Sequence, residues 1–400
     1  MKQTNTEELF GTQRIGRLLL SIAPPVMLAQ LIQALYNIVD SFFVGKYSAD
    51  ALTALTVIYP IQLIITALAV GTGVGVNTYM ARKLALGQER QARQAAGVGM
   101  LLEVLSYAVF ALFSMLFMRR YVCTSASEPQ AIEDAVVYGR IVCAGSLGLF
   151  LESNFTKVLQ ARGNMRRPML AQIAGALTNI ALDPILIFGL GPVPKMGVAG
   201  AAAATVAGQW VAAALTAPAA FSLPRAKEKT LLHFAGRIYY FGYPSIVMQL
   251  LYTVYIVGLN VILAGFSDAA VTVLGLYYKA QSFFFIPLFG LQSCIVPVLS
   301  FNYARRSYAR CRSVMRDSFL ISAGFMVLGI AVFLCFPNTL IDIFSGSDAV
   351  RAIAVQAFPV IGLSFLPAVF SLMMPVFFQS IGKGVQSLCL SLLRQVVCLV

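Results

Sequence analysis

The sequence predicts an all-α polytopic membrane protein with a twelve-helix architecture, built as two pseudo-symmetric six-helix bundles and cut short in or after the eleventh span. Three observations predict this fold: an apolar composition, apolar stretches that recur along the whole chain, and a repeat of the sequence within itself. Of 400 residues, 59% are hydrophobic and 11% charged, and the mean hydropathy is +0.80. Soluble domains have about 25% charged residues, so this composition indicates a lipid environment.

The apolar stretches are long enough to cross a bilayer, which takes about 20 helical residues. We predict spans at 18–44, 52–79, 96–118, 135–156, 168–189, 198–221, 241–264, 271–298, 317–337, 352–378 and 387–400. The first span is expected to be retained as an anchor, because it contains Pro24 and Pro25 and lacks a small-residue cleavage site.

The net charge of +13 is distributed in a way that predicts orientation rather than nucleic-acid binding. With the N-terminus in the cytoplasm, 21 basic residues fall on the cytoplasmic side and 5 on the other side. This is the positive-inside pattern. We therefore expect a multi-pass protein of the cytoplasmic membrane. The seven cysteines include no C-x-x-C pair, so neither a disulfide framework nor a metal centre is indicated.

The chain repeats itself at an offset of 219 residues, and one residue of slip in the first outer loop aligns Asp40 with Asn260. The matches at 219 include Ala51 with Ala270, Thr53 with Thr272, Tyr59 with Tyr278, Gln62 with Gln281, Gly71 with Gly290, Gln160 with Gln379 and Gly163 with Gly382. Six spans form one copy, so both copies have the same orientation and the substrate is expected between them.

The repeat also predicts the domain boundaries. The N-terminal lobe covers residues 1–221, a cytoplasmic linker covers 222–238, and the C-terminal lobe covers 239–400 with about five spans. By the same logic a complete second copy ends at about residue 440. Because the sequence stops at Val400, a twelfth span is expected beyond it.

Four carboxylates lie inside predicted spans, and all four belong to the first copy: Asp40, Glu103, Glu152 and Asp183. An ionised aspartate at a bilayer centre costs about 2.5–3.5 kcal/mol on insertion scales. Such residues are functional by default, although hydroxyl or amide neighbours can also satisfy them in a purely structural role. The roles of Glu103 and Glu152 stay open between these two interpretations.

Polar side chains form one stripe on each of two predicted helices. Helical spacing places Gln33, Tyr36 and Asp40 on one face of the first span. The same spacing places Gln172, Asn179 and Asp183 on one face of the fifth span. We expect the two stripes to face each other across a wet cavity. The proline after Asp183 leaves a backbone carbonyl without its donor, which adds a further cation ligand, so the two aspartates can hold a proton or Na⁺ in one state and release it in another.

Several segments together resemble the MATE (multidrug and toxic compound extrusion) transporters, within a wider superfamily that includes lipid-linked oligosaccharide flippases. They are LYNIVDSFFVGK in the first span, QARGN at 160–164, NIALDP at 179–184, GVAGAAAATV at 197–206 and KAQSFFFIPLFGLQ at 279–292. The resemblance implies a two-lobed exporter that exchanges H⁺ or Na⁺ for organic, often cationic compounds.

The resemblance also implies site residues. Tyr36, Asn179 and Thr205 join Asp40 and Asp183 in an ion and proton network, with a possible Na⁺ position at the two aspartates, Asn179 and Thr205. Some relatives use an acidic residue in the seventh span, but the corresponding segment here, PSIVMQLLYTVY, contains none. Coupling through the second copy is therefore not expected.

Further polar side chains within spans are candidates for the substrate cavity: Gln33, Gln172, Tyr138, Asn154, Asn260 and Lys279. We expect a monomer in the bilayer that handles a small organic molecule, with no nucleic-acid partner and no cofactor other than H⁺ or Na⁺ as the coupling ion.

Two other functions compete with the antiporter. The first is a flippase or exporter of a lipid-linked or polyanionic substrate, which favours basic cavity walls. The second is an intramembrane aspartyl protease with Asp40 and Asp183 as its dyad. The segment GLGP at 189–192 lacks the aspartate that such an enzyme needs, so no enzyme is expected. The glycine-rich GTGVG at 71–75 lacks a following G-K-[ST] and indicates close helix packing instead.

The aligned pair Asp40 and Asn260 predicts that the two copies have unequal roles. An asparagine can bind a substrate or a cation, but it cannot release a proton at physiological pH. Asn260→Ala is therefore expected to change substrate affinity while efflux stays dependent on the imposed ion gradient, whereas Asp40→Asn removes that dependence. Initial efflux rates measured against the size of the gradient test this assignment, which fails if the two variants behave the other way round.

Overall fold

The computed structural model describes residues 4–125, 128–189, 193–223, 228–266, 268–344 and 348–397. Within these ranges the chain forms fifteen α-helices and no β-strand. The predicted all-α class is thereby confirmed.

The elements follow one another with short connections. In chain order they are α1 Thr4–Glu7, a π-helical turn Glu8–Thr12, α2 Ile15–Tyr47, α3 Ala49–Ala85, α4 Glu89–Cys123, α5 Pro129–Gly145, α6 Leu147–Ala161, α7 Arg166–Phe188, α8 Val198–Ala220, α9 Glu228–Ala264, α10 Asp268–Ala304, α11 Tyr308–Cys335, α12 Pro337–Phe344, α13 Asp348–Leu363, α14 Phe365–Ser380, α15 Gly384–Leu392 and a second π-helical turn Leu393–Val397.

Within the described residues, each of the eleven predicted spans overlaps helical structure. Within the described ranges, 7 single helices are long and apolar enough to cross a membrane, and the number rises to 9 when each of two bent helix pairs is taken as one span. Helix α9 begins at Glu228, inside the segment predicted as a linker. It does so because Phe234 and Ile238 are buried, at 4% and 0% exposure, and need a helical face to pack.

The fourth and tenth spans are broken rather than straight. The α5–α6 pair is bent by 42° and the α13–α14 pair by 49°. At each break a serine hydroxyl donates to the carbonyl three residues earlier: Ser146 Oγ to Cys143 O at 2.8 Å and Ser364 Oγ to Ile361 O at 2.6 Å. Such local bonds compete with the helical ladder. The two breaks occupy equivalent places in the two copies, yet nothing in the apolar pattern predicted them.

The buried side chains show that α2 joins the two halves of the chain. Leu18 and Ile22, near its start, belong to one apolar cluster with residues of α10, α11 and α14. Val44, near its end, belongs to another cluster with residues of α3, α5, α6 and α8. The division into lobes at residue 221 stays a prediction, and the packing of α2 crosses it.

The two copies share their turns. Gly87 after α3 and Arg306 after α10 both have positive φ, 70° and 58°. Gly163 after α6 and Gly382 after α14 also match, with φ of 82° and 81°. These turns lie at one end of the molecule, which we call the basic end. Side chains at the basic end donate hydrogen bonds to backbone carbonyls of other segments. The donor and acceptor pairs are Thr6 Oγ1 and Arg162 O at 2.9 Å, Asn302 Nδ2 and Phe10 O at 2.9 Å, Tyr240 OH and Gly382 O at 2.9 Å, and Arg82 Nη2 and Ser380 O at 3.2 Å.

Glycines bring α3 and α9 into backbone contact, as the segment GTGVG predicted. A Cβ on Gly75 would lie 2.2 Å from Ile238 O, and a Cβ on Gly71 would lie 2.2 Å from Ile246 Cγ1. On the facing helix, a Cβ on Gly242 would lie 2.6 Å from Gly71 O. These distances leave no room for a methyl group, so the contact between the first and second halves of the chain depends on glycine.

We expect Gly75→Ala to destabilise the protein, because the added carbon must push α3 away from a backbone atom of α9. Overpacking of this kind costs about 1–3 kcal/mol, more than the roughly 1 kcal/mol that alanine contributes in a helix. Gly324→Ala is the matched control, since no heavy atom lies within 4 Å of its added Cβ. Thermal unfolding of the purified variants tests this, and equal unfolding temperatures would contradict it.

Candidate functional site

A cavity of about 70 Å³ lies among α2, α6, α7 and α8. Its polar walls are formed by Gln33, Tyr36, Glu152, Gln172, Asn179, Thr205 and Gln209. Two members of each predicted polar stripe line this cavity, Gln33 and Tyr36 from α2 and Gln172 and Asn179 from α7. Asp40 and Asp183, the remaining members, are not among its lining residues. Helix α8 adds a third polar wall.

Close packing of α7 on α8 puts Asn179 where it can reach both helices. A Cβ on Gly175 would lie 2.6 Å from Gly208 O, and a Cβ on Gly208 would lie 2.6 Å from Gly175 O. The two backbones touch at this pair of glycines. Asn179 stands one turn further along α7 and is 2% exposed.

The Asn179 amide links the predicted ion-binding residues. Its Nδ2 donates to Asp183 Oδ1 and to Thr205 Oγ1, both at 3.4 Å. Protein N–H···O bonds cluster near about 2.9–3.0 Å, so both of these bonds are long. One amide group thus holds a carboxylate and a hydroxyl loosely, and can give up either contact at small cost.

Asp40 completes this group from α2. It is 8% exposed and Asp183 is 0% exposed, and the two carboxylates are close enough to interact electrostatically. Tyr36 lies within electrostatic reach of both. Tyr138, on α5, accepts a hydrogen bond from Gln62 Nε2 at 3.3 Å and lies within electrostatic reach of Asp40.

Three acceptor oxygens of this group have no hydrogen-bond donor among the described residues: Asp40 Oδ1, Asn179 Oδ1 and Asp183 Oδ2. A buried acceptor without a partner costs about 1–3 kcal/mol, and more when it is charged. Oxygen ligands of this kind suit a proton or a hard cation. These oxygens and Thr205 Oγ1 belong to the four residues named in the Na⁺ prediction, which stays a prediction.

Glu152 joins the site, although its role was open at the level of sequence. Its Oε1 accepts from Thr156 Oγ1 at 2.6 Å and from Gln172 Nε2 at 3.1 Å. The in-span carboxylate was the available signal, but the sequence does not say which face of α6 points inward. Gln209 was missed. It follows Thr205 by four residues and therefore shares its helical face, and its buried Oε1 has no donor among the described residues.

Other predicted residues lie elsewhere or are not described. Asn154 points at α4, where its Nδ2 would lie 2.6 Å from a Cβ on Gly99. The side chains of Asn260 and Lys279 lie outside the described part of the structure.

The size of the cavity decides what it can hold. A single water needs roughly 10–15 Å³ measured in this way, whereas drug-sized ligands occupy pockets of about 300–1,000 Å³. At about 70 Å³, the cavity has room for an ion with a few waters and is too small for an organic substrate. Gln33 and Gln172, predicted as substrate contacts, line this cavity beside Tyr36, Asn179 and Thr205, and their role in substrate binding stays a prediction.

Comparison with known proteins identifies relatives along most of the chain. It is 28% identical to the FAD transporter of Shewanella oneidensis over 347 residues, 83% of this chain and 75% of that protein. It is 25% identical to a probable multidrug resistance protein NorM of Thermotoga maritima over 357 residues, 87% of this chain and 76% of that protein.

Solved structures share the fold. An outward-facing multidrug resistance MATE family transporter of the MOP superfamily superposes with a TM-score of 0.91 at 23% identity, over 99% of this chain and 89% of that one. A MOP superfamily transporter from Pyrococcus furiosus gives a TM-score of 0.90 at 23% identity, with the same coverage. The MatE family model matches residues 25–185 and 244–400, once in each predicted copy. The chain therefore belongs to the MatE family of multi-pass membrane transporters, which are not enzymes.

Proposed function

We propose that this MATE-type exporter is a secondary antiporter that moves organic, often cationic and amphiphilic compounds out of the cell in exchange for H⁺ or Na⁺. The observation that carries the proposal is the group of three buried acceptor oxygens on Asp40, Asn179 and Asp183 without donors among the described residues. The multidrug names of several relatives support the substrate class.

Ion coupling follows from electrostatics. Two neighbouring carboxylates in a low-dielectric interior repel each other, and a proton or Na⁺ between them removes that cost. An ion drives transport only when its affinity differs between the inward-open and outward-open states. The long bonds of Asn179 supply such a difference, because a small shift of α7 against α8 changes the number of oxygens that reach the ion.

The remaining features of the proposal come from the sequence. The N-terminus lies in the cytoplasm and the protein spans the cytoplasmic membrane as a monomer. Residues 1–221 and 239–400 move against each other to expose the substrate path on alternate sides. No cofactor takes part other than the coupling ion.

We expect Asp183→Asn to abolish gradient-driven efflux while the variant still folds, because asparagine keeps the size of the side chain but cannot cycle its charge. Ethidium efflux from reconstituted vesicles, with the pH gradient and the Na⁺ gradient imposed separately, measures this and identifies the ion. Asp317→Asn is the control, since Asp317 pairs with Arg316 at 3.0 Å on α11, away from the cavity. Wild-type efflux by Asp183→Asn would remove this carboxylate from the mechanism.

A second variant tests the amide. Asn179→Ala removes the donor shared by Asp183 and Thr205 and also the unpartnered acceptor Oδ1. If Na⁺ is the coupling ion, we expect its half-saturating concentration to rise, because an oxygen ligand is lost. If H⁺ is the coupling ion, we expect its half-saturating concentration to fall, because a donor that stabilises the charged carboxylate is lost. Asn37→Ala, on the exposed side of α2, is the matched control. The proposed role of the amide is wrong if both variants keep the wild-type ion affinity.

An anionic substrate is the second candidate. The Shewanella relative is named as a FAD transporter, and a flavin dinucleotide carries phosphate groups. Vesicles loaded with FAD and assayed under the same two gradients decide between the candidates: the antiporter of organic cations moves ethidium in preference to FAD, and the alternative moves FAD in preference to ethidium.

A further inference from the structure

A second and larger cavity opens at the basic end, and none of its lining residues also lines the smaller cavity. Its volume is about 310 Å³. Helix α3 forms one wall with Tyr79, Arg82 and Lys83, while α9, α10 and the turn after α10 form the other walls. Its two sides therefore come from the first and the second halves of the chain.

The cavity concentrates positive charge. Four of its lining residues are cationic, namely Arg82, Lys83, Arg237 and Arg306, and none of the lining residues is acidic. The ion pairs found among the described residues lie elsewhere in the chain. Arg82 and Arg237 are close enough to repel each other. Like charges at a partly desolvated site raise the free energy of the closed arrangement unless an anion lies between them.

The polar atoms of Arg82 are only partly used. Its Nη2 donates to Ser380 O at 3.2 Å, whereas its buried Nε has no acceptor among the described residues. The guanidinium stacks 4.5 Å from the centre of the Phe241 ring and 5.7 Å from that of Tyr303. Stacking holds the flat group in place and leaves N–H groups on its edge for a ligand.

Arg306 lines the cavity from a strained backbone. With φ of 58° it is, in the described ranges, the one residue other than glycine with positive φ. A Cβ disfavours this conformation. The equivalent turn after α3 has Gly87 in the same conformation. In both turns this residue donates to the carbonyl three positions back, at 3.0 Å for Arg306 and 3.1 Å for Gly87. The turn itself therefore does not need arginine. The strained backbone of Arg306 places a cationic side chain in the cavity lining.

We propose that this cavity binds the phosphate group of an anionic ligand, either the headgroup of an acidic phospholipid or a soluble phosphate compound. Arginine guanidinium groups match phosphate oxygens in paired hydrogen bonds, and basic pockets between helices suit acidic headgroups. The aromatic side chains Tyr79, Phe241 and Tyr308 provide apolar contacts beside the charges. The lipid source follows the predicted orientation, in which the basic end faces the cytoplasmic leaflet.

A bound phosphate group has a mechanical consequence. Because α3 lies on one side of the cavity and α9 and α10 on the other, the ligand stabilises the state in which these helices are together at the basic end. Its affinity for that state sets how far it shifts the equilibrium. This effect is separate from ion coupling at the smaller cavity, so it does not depend on the proposed antiport.

Thermal unfolding of the purified chain in detergent, titrated with a ligand, tests the proposal. The ligands are short-chain phosphatidylglycerol, the phosphatidylcholine of the same chain length, and inorganic phosphate at constant ionic strength. We expect phosphatidylglycerol to give a saturable rise in unfolding temperature that phosphatidylcholine does not give. If inorganic phosphate reproduces the rise, the ligand's source is soluble. If it does not, the source is lipid.

Charge variants locate the effect. In Arg237→Gln and Arg306→Gly the half-saturating concentration is expected to rise roughly tenfold. Arg312→Gln is the matched control, because it removes one exposed charge of α11 outside the cavity, and it should titrate like wild type. Arg306→Gly also relieves backbone strain, so its unfolding temperature without ligand should not fall, which separates lost binding from misfolding. The proposal is overturned if wild type shows no saturable rise, or if both cavity variants titrate like Arg312→Gln.

Discussion

The arrangement of the first half of the chain depends on one constraint, the cost of keeping acceptor oxygens in an apolar interior. Asp40 and Asp183 are buried and close enough to interact, so their separation, their neighbours and the packing around them all affect that cost. The glycine contact between α7 and α8 allows an amide to approach both a carboxylate and a hydroxyl. A larger residue at Gly175 or Gly208 would separate those groups, and the oxygens would lose the donor that they share.

The polar faces of α2 and α7 were predictable from the sequence, because helical periodicity determines which residues share a face. The spacing of Gln33, Tyr36 and Asp40 fixes a helical face regardless of tertiary contacts, and in-span carboxylates have few positions that they can occupy. The breaks at Ser146 and Ser364 were not predictable in this way. A serine within an apolar run is compatible with a straight helix, and only its local bond to a carbonyl distinguishes the bent state. Gln209 escaped notice because the polar stripes recognised in the sequence lie on the first and fifth spans, whereas Gln209 lies on α8.

The two copies show how one scaffold supports different chemistry. Their turns share backbone conformation at Gly87 and Arg306 and again at Gly163 and Gly382, yet in the first of these pairs an arginine replaces a glycine. Backbone hydrogen bonds tolerate such exchange because they do not involve side chains. The two copies can therefore have different charged residues on the same backbone. The first copy has carboxylates within its spans, and the second copy has an arginine in one of its turns.

The bend at Ser146 makes α6 a short rigid lever. This helix has 15 residues and is about 22 Å long at 1.5 Å per residue. A rotation of about 5° at the serine would displace its far end by about 2 Å over that length. Glu152 lies closer to Ser146 than to the far end of α6, so it would move by less than half of that distance. A movement of the end of α6 at the basic end would therefore reach the Glu152 carboxylate at a smaller amplitude.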